Sequence, residues 1–173
     1  AELFDRAAAL LGDRWLGDDC TGFDVSLSLV ALQGALRRLR GAGVPRRLPG
    51  IAGAALVSPL PGEEHVLGSV VKADLLAEAG WDVPRLQAAS FRALEEAVAA
   101  ERFDAVVLST SRALRREDSL DRLARGVARL RRASRNQAVA IVVGGRLFAE
   151  TPGRGAAVGA DAVSGPLAGI PGV

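Results

Sequence analysis

The chain has 173 residues, of which 49% are hydrophobic and 24% are charged, and its formal net charge is +2. These values are typical of one soluble globular domain, with or without a small appendage, and they exclude disorder as the main interpretation. A charge this small does not by itself indicate nucleic-acid binding, and no apolar run approaches the roughly 20 residues of a membrane span. His65 and Cys20 are the only histidine and cysteine, which excludes a two-histidine site within one subunit and favours a reducing, cytoplasmic location.

The first forty residues predict two helices. Apolar residues recur at helical spacing in residues 3–15 and again in residues 25–39, with Asp24 as a candidate N-cap of the second helix. A segment rich in Gly, Pro and Arg follows and is the best candidate for a linker. We therefore predict a helical leader over residues 1–43 and a second domain over residues 44–173.

Short apolar runs then alternate with helical segments. The short runs predict five strands, at residues 51–57, 81–86, 104–108, 138–143 and 161–163. The segments between them predict helices at residues 65–79, 91–100, 119–133 and 151–158, and Ser90 is the predicted N-cap of the second of these. This alternation predicts an α/β fold with a flavodoxin-like, doubly wound, five-stranded parallel sheet.

The loop after the first predicted strand holds the histidine. Glu63 lies two residues before His65, and Gly68 lies three residues after it. A metal-binding imidazole needs an acceptor for its second N–H, and a carboxylate such as that of Glu63 can supply one. The same short string also fits an exposed histidine that opens a helix beside two glutamates. At the level of this loop, both interpretations stay open.

Two further loops lie at the same predicted edge of the sheet, where ligands of such folds bind. One contains Ser109 and Ser111, and the other contains Gly144 and Gly145. Together the three loops resemble the cobalamin-binding domain, whose pattern is Asp-x-His-x-x-Gly, then Ser-x-Leu, then Gly-Gly. The sequence departs from that pattern at Glu63, where the family has Asp, and at Ser111, where it has Leu.

The resemblance covers roughly residues 50–165 and implies a cofactor, hydroxo- or adenosylcobalamin, bound with its benzimidazole displaced from cobalt. It implies that His65 is the lower axial cobalt ligand and that Glu63 is its hydrogen-bond partner. Gly68 is then the glycine beside the nucleotide tail. The longer side chain of Glu63 would alter how firmly the imidazole is held.

The remaining site residues that the resemblance implies contact other parts of the cofactor. Ser109 would face the benzimidazole, Ser111 would lie near the tail, and Gly144 and Gly145 would leave room for the nucleotide. Related methyl carriers and light sensors cover the upper corrin face with helices, so Trp15 of the leader is a candidate shield. A lone tryptophan on a helical stripe is also commonly a core residue.

The flanking segments carry a narrower resemblance, to the AerR/PpaA group of cobalamin-binding regulators of photosynthesis genes. These segments are residues 15–19, 32–33, 62–68, 80–83 and 143–148. The resemblance implies a light-responsive antirepressor, not an enzyme, whose partner is a transcriptional repressor of the CrtJ/PpsR type. A corrinoid methyl carrier of a methyltransferase system is the alternative function, and a cofactor-free interaction module is a third.

One predicted helix and the residues that flank it are strongly basic. Residues 111–135 contain nine arginines against three acidic residues. Arginines that face away from the core can bind phosphates or an acidic protein surface, although such a helix is also often only a solvated face. No aromatic residue is interleaved with them and no helix-turn-helix motif is present. We therefore expect contact with a protein partner, and direct DNA contact is the weaker expectation.

Overall fold

The computed structural model divides the chain into two compact units, residues 1–46 and 47–173. It describes residues 6–7, 10–11, 13–15, 17–41, 53–63, 66–84, 86–110, 117–151 and 153–164. In the first unit the described residues from 6 to 15 are helical, and helix α1 spans Gly22–Gly41. Within the described ranges, none of the helices combines the length and the apolar character that crossing a membrane requires.

Helix α1 begins with a reciprocal cap. The amide of Asp24 donates to Thr21 Oγ1 at 3.2 Å, and the amide of Thr21 donates to Asp24 Oδ2 at 2.9 Å. Thr21 is therefore the N-cap, and Asp24, which the sequence predicts there, is instead the partner three residues later. The side-chain hydrogen bond from Thr21, followed by its backbone hydrogen bond, lowers the pKa of Asp24.

The second unit is an α/β domain built on a fully parallel sheet. Its strands are β1 (Ala55–Pro59), β2 (Ala105–Ser109), β3 (Ala140–Gly144) and β4 (Ala162–Ser164). Its helices are α2 (Leu67–Glu78), α3 (Phe91–Ala100), α4 (Glu117–Ala133), α5 (Arg146–Glu150) and α6 (Gly153–Ala157). The strands follow one another in the order β1-β2-β3-β4. The parallel α/β class is confirmed.

The predicted strand at residues 81–86 is wrong, and over the described residues the sheet has four strands and not five. Asp82 makes an isolated bridge beside β1: its amide donates to the Gly53 carbonyl at 2.9 Å, and its carbonyl accepts from the Ala55 amide at 2.8 Å. Pro84 follows two residues later and has no amide proton to extend a ladder. The segment therefore follows the sheet edge without becoming a strand.

Hydrophobic cores cover both faces of the sheet. On one face, the strands pack against α3 and α4 through Leu56, Val106, Ile141, Leu94, Val98, Leu123, Val127 and Leu130. On the other face, they pack against α2 and the segment after it through Ala55, Val57, Val107, Val142, Leu76 and Trp81. The chain thus leaves β1 along one face and reaches β2 along the other, which creates a switch point at the carboxyl ends of these two strands.

The other predicted elements of this unit are confirmed where they are described, with their ends shifted by a few residues. Ser90 caps α3 as expected, because its hydroxyl accepts a hydrogen bond from the Ala93 amide at 3.2 Å. The predicted helix at residues 151–158 is shorter in the structure, where it is α6. Helix α5 directly before it is absent from the sequence prediction.

Candidate functional site

The carboxyl edge of the sheet aligns the ends of all four strands in one row. Pro59, Ser109, Gly144 and Ser164 are register partners in neighbouring strands and lie on the face that α2 covers. Ser109 and Ser164 are only 3% and 1% exposed. Two buried hydroxyl side chains therefore flank a glycine at the edge where ligands of such sheets bind.

Hydrogen bonds hold the loops of this edge together. The amide and the hydroxyl of Thr110 both donate to the Gly144 carbonyl, at 2.7 and 3.0 Å. The Leu60 amide donates to the Ser109 carbonyl at 2.9 Å. The structure thus brings together the predicted site residues Ser109, Gly144 and Gly145. Their role toward a nucleotide tail stays a prediction.

Both glycines are required by the packing of the protein itself. A Cβ built on Gly144 would overlap the Ser164 hydroxyl and would lie 2.9 Å from Lys72 Cε. A Cβ on Gly145 would overlap Thr110, and the φ of Gly145 is +129°, a conformation that favours glycine. The space beside Gly144 is therefore filled by side chains, and a ligand group placed there would have to displace Lys72.

The first loop turns sharply before α2. Gly62 has a φ of +85°, and the Glu63 amide donates to the Leu60 carbonyl at 2.9 Å. Gly68 lies in the first turn of α2, one residue after the helix begins. Two predicted site residues, His65 and Ser111, lie outside the described residues. Their assignment, and that of Glu63 as partner of the imidazole, stays a prediction.

A cleft of about 260 Å³ opens between α2 and the outer edge of the sheet. Its walls are mostly apolar, with Ser69 and Gln87 as polar members, and they comprise Val57, Pro59, Val66, Ser69, Val70, Ala73, Leu86 and Gln87. No motif in the sequence indicates these α2 residues as part of the site. Val66, Val70 and Ala73 recur at helical spacing in the sequence, but the same spacing is typical of any helix face that packs in a core.

Lys72 is a further residue at this edge that belongs to none of the three predicted loops. It is the only lysine of the chain, lies in the middle of α2 and is 1% exposed. Its aliphatic stem reaches the end of β3, where Cε lies beside Gly144. The sequence feature that could have indicated Lys72 is a single lysine in an Arg-rich chain, placed between apolar residues of a predicted helix.

The first unit holds the predicted upper-face residue. Trp15 is 46% exposed, and Cys20 is a free, half-buried thiol. The assignment of Trp15 to the upper face of a cofactor stays a prediction. In the described parts of the chain, no three side chains of His, Cys, Asp or Glu gather into a metal-binding group.

One arginine of α4 has a structural role. Arg131 donates to the carbonyls of Val139 and Gly159 at 3.1 and 2.9 Å, and to Asp161 Oδ2 at 2.7 Å. The same carboxylate accepts from the Ile141 amide. Burial alone would raise the pKa of Asp161, but the hydrogen bonds from Ile141 and Arg131, with the charge of Arg131, lower it on balance.

Other arginines of α4 face solvent. Arg129 pairs with Glu95 of α3 at 2.8 Å, and its guanidinium lies 5.9 Å from the ring centre of Phe91. Three more are exposed at helical spacing and make no ion pair with a described residue: Arg122, Arg125 and Arg132. We call these three the arginine stripe.

The sequence matches the model of one known protein family. The model of the family described as AppA, sensor containing heme instead of cobalamin, matches residues 47–173. This range is the whole of the second compact unit. No curated protein matches the chain.

Two solved structures share the fold. A cobalamin-binding protein from Desulfitobacterium hafniense DCB-2 is 20% identical, with a TM-score of 0.55, over 94% of this chain and 74% of its own. The monomethylamine corrinoid protein of Methanosarcina barkeri is 18% identical, with a TM-score of 0.69, over 91% of this chain and 72% of its own. At these identities the likeness concerns the fold alone.

Proposed function

This chain belongs to the family described as AppA, sensor containing heme instead of cobalamin, and from that membership we propose that it is a tetrapyrrole-binding regulatory protein. The ligand that we propose is cobalamin, in its hydroxo or adenosyl form. The output is antirepression: the chain binds a transcriptional repressor of the CrtJ/PpsR type in the cytoplasm and has no catalytic step of its own. The input is light or the availability of the cofactor.

The apolar cleft beside α2 is the observation that favours cobalamin over heme. Pockets for whole small molecules typically have volumes of about 300–1,000 Å³. The cleft, at about 260 Å³, is suited to a substituent and not to a complete macrocycle. Cobalamin has such a substituent, the nucleotide tail with its flat, apolar base, whereas heme has none. The cleft also opens beside α2, the helix that follows the loop of His65.

In this proposal each part of the edge has a role. His65 would hold the metal through one ring nitrogen, with Glu63 as acceptor for its second N–H. The cleft residues, such as Val57 and Val70, exclude water from the base of the tail. When bound, adenosylcobalamin would supply a light-sensitive cobalt–carbon bond, and the state of that bond would bias partner binding.

A corrinoid methyl carrier is the second candidate. The observation that favours it is the fold shared with the monomethylamine corrinoid protein over 91% of this chain. A carrier and a sensor can use the same binding edge, so the fold alone does not separate them. Methyl transfer from the bound corrinoid to an acceptor thiol by a companion enzyme would support the carrier.

The experiment is an absorption titration of the whole chain with hydroxocobalamin, adenosylcobalamin and heme, in darkness and in light. We expect tight binding of a cobalamin with the benzimidazole displaced, and strong loss of binding in His65→Ala. The matched control is Cys20→Ser, which should bind as the wild type does. Electron paramagnetic resonance of the Co(II) form with nitrogen-15-labelled protein should show superhyperfine coupling that changes with the label.

Two results would contradict the proposal in different ways. Binding of heme but not of cobalamin would leave the tetrapyrrole role intact and reject the cofactor that we propose. Cobalamin binding without any effect of His65→Ala, and with coupling unchanged by the label, would reject the axial ligand. Failure to bind any tetrapyrrole would favour a cofactor-free interaction module.

A further inference from the structure

The exposed apolar side chains of the protein are concentrated in the first unit. Over the described residues, the large hydrophobic side chains that are exposed all belong to that unit: Leu10, Trp15, Phe23, Leu27 and Val30. Single exposed apolar residues are common on protein surfaces, whereas a contiguous group indicates an interaction surface. The spacing of these residues therefore decides whether they form such a surface.

Three of them form one stripe on α1. Phe23, Leu27 and Val30 are 74%, 59% and 64% exposed, and the half-buried Gly34 continues the same spacing. Steps of four, three and four residues place these positions on one face of the helix, and this spacing is typical of the contact face of a helix pair. We call these four positions the α1 seam.

The charges of this part of the chain are ordered along the helix axis. The turn before α1 contains the exposed Asp18 and Asp19, whereas the sequence of its last two turns contains Arg37, Arg38 and Arg40. A second copy that lies antiparallel would bring the acidic end of each helix to the basic end of the other. A parallel copy would place like charges together, which is unfavourable. The helix is therefore complementary to itself in the antiparallel direction.

We propose that the α1 seam is the contact surface of a homodimer, in which the α1 helices of two copies pack antiparallel about a twofold axis. In the register that places Leu27 of one copy opposite Val30 of the other, Phe23 lies opposite Gly34. The largest side chain of the seam then faces the position that has no side chain, as interdigitated packing requires. This inference concerns the first unit and does not depend on the proposed function.

The charged ends support the same register. Asp19 lies four residues before Phe23, and Arg38 lies four residues after Gly34, so the register brings Asp19 of one copy level with Arg38 of the other. A groove of another protein or a bound cofactor could also cover an apolar seam, but neither accounts for this order of charges. Since a contact of one helix per copy is small, we expect a weak dimer with a dissociation constant on the order of 10 μM.

The experiment is sedimentation velocity of the whole, ligand-free chain from about 1 to about 200 μM, a range that brackets the expected constant. We expect a reversible equilibrium between monomer and dimer. Leu27→Glu should raise the dissociation constant roughly tenfold or more, since it places an unpaired charge at the centre of the seam on both copies. Ala77→Glu is the matched control, because it adds the same charge at an exposed position of α2 and should leave the constant unchanged. Circular dichroism checks that each variant keeps its helices.

An exchange of charges tests the register. Asp19→Arg and Arg38→Asp should each weaken the dimer, and the variant that carries both should recover most of the lost affinity, because the pair is restored with its charges exchanged. Absence of this recovery would overturn the antiparallel register.

A wild type that stays monomeric over the whole range, or a Leu27→Glu variant that dimerises as the wild type does, would overturn the homodimer. With a monomeric wild type, loss of repressor binding in Leu27→Glu would assign the seam to that protein instead. A changed absorption spectrum of bound cobalamin in the same variant would assign it to the cofactor.

Discussion

Gly144 illustrates how one residue is fixed by neighbours that are distant in sequence. A Cβ at this position would overlap Ser164 and approach Lys72, both of which are buried. We predict that Gly144→Ala lowers the free energy of unfolding by about 1–3 kcal/mol, the usual cost of overpacking. Urea denaturation of the ligand-free protein measures it.

The matched control for this substitution is Gly153→Ala, because nothing lies within 4 Å of the Cβ that it adds. We expect it to change stability by less than about 1 kcal/mol, and in the stabilising direction if at all. Similar effects of the two substitutions would contradict the packing seen at Gly144. A larger side chain, such as that of Gly144→Val, is a poor probe of tail binding, since it disturbs the sheet edge itself.

The carboxyl group of Asp161 predicts how the stability of the fold depends on pH. The pKa of its carboxyl group is lowered in the folded state, so its contribution to stability is present above the unfolded value of about 3.9 and is lost as the pH falls through the folded value. We predict that the free energy of unfolding falls more steeply between about pH 5 and about pH 3 in the wild type than in Asp161→Asn. Urea denaturation at several pH values provides the slopes.

The control for this series is Asp121→Asn, which alters an exposed carboxylate of α4. Its slope should parallel that of the wild type. If Asp161→Asn also follows the wild type, the hydrogen bonds from Ile141 and Arg131 do not stabilise the charged carboxylate.

At the scale of elements, the arginines of α4 form two groups, those that pair within the protein and those that are exposed for contact with a partner. Arg131 and Arg129 are held by Asp161 and Glu95, whereas the arginine stripe makes no ion pair with a described residue. We predict that reversing Arg125 and Arg132 to Glu weakens the complex with a CrtJ/PpsR-type repressor at least tenfold and leaves cobalamin binding unchanged. Titration of the repressor by fluorescence anisotropy measures the first affinity, and absorption measures the second.

Two controls test whether the effect is specific to the arginine stripe and to a protein partner. Arg92→Glu reverses an exposed charge on α3 that pairs within its own helix, and it should affect the complex less. Loss of binding to duplex DNA in the stripe variant, without any repressor present, would show that the stripe contacts nucleic acid. Unchanged repressor affinity would remove α4 from the interface.

At the scale of the whole molecule, sensing requires that the cofactor and the partner influence each other. If bound cobalamin changes the affinity for the repressor by some factor, the repressor must change the affinity for cobalamin by the same factor. We predict a coupling of about fivefold or more, with a different value in light and in darkness. Titrations of each ligand in the presence and absence of the other measure both sides of the cycle.

Absence of coupling would contradict the sensor proposal while leaving cobalamin binding in place. The appropriate control is the His65→Ala variant, in which the repressor affinity should not respond to added cobalamin. Illumination of the repressor complex with hydroxocobalamin and with adenosylcobalamin then separates light from cofactor level as the signal.

The sequence by itself determined the alternation of strands and helices, because local periodicity reports which side of each segment is buried. It determined the cap at Ser90, and it placed the loops of Ser109 and Gly144 at one edge, since parallel strands end together. It failed at residues 81–86, where an apolar run resembles a strand but Pro84 removes a donor. It also assigned the N-cap of α1 to the wrong member of a hydrogen-bonded pair.

Only the tertiary structure decided which side chains meet at that edge. Lys72, Gly144 and Ser164 are far apart in the chain, and each by itself has an ordinary explanation: a helix lysine, a loop glycine and a serine that ends a strand. Their convergence depends on how α2 crosses the sheet face and on the register between β3 and β4. A local pattern contains neither of these, because both result from packing between elements that are separated by many residues.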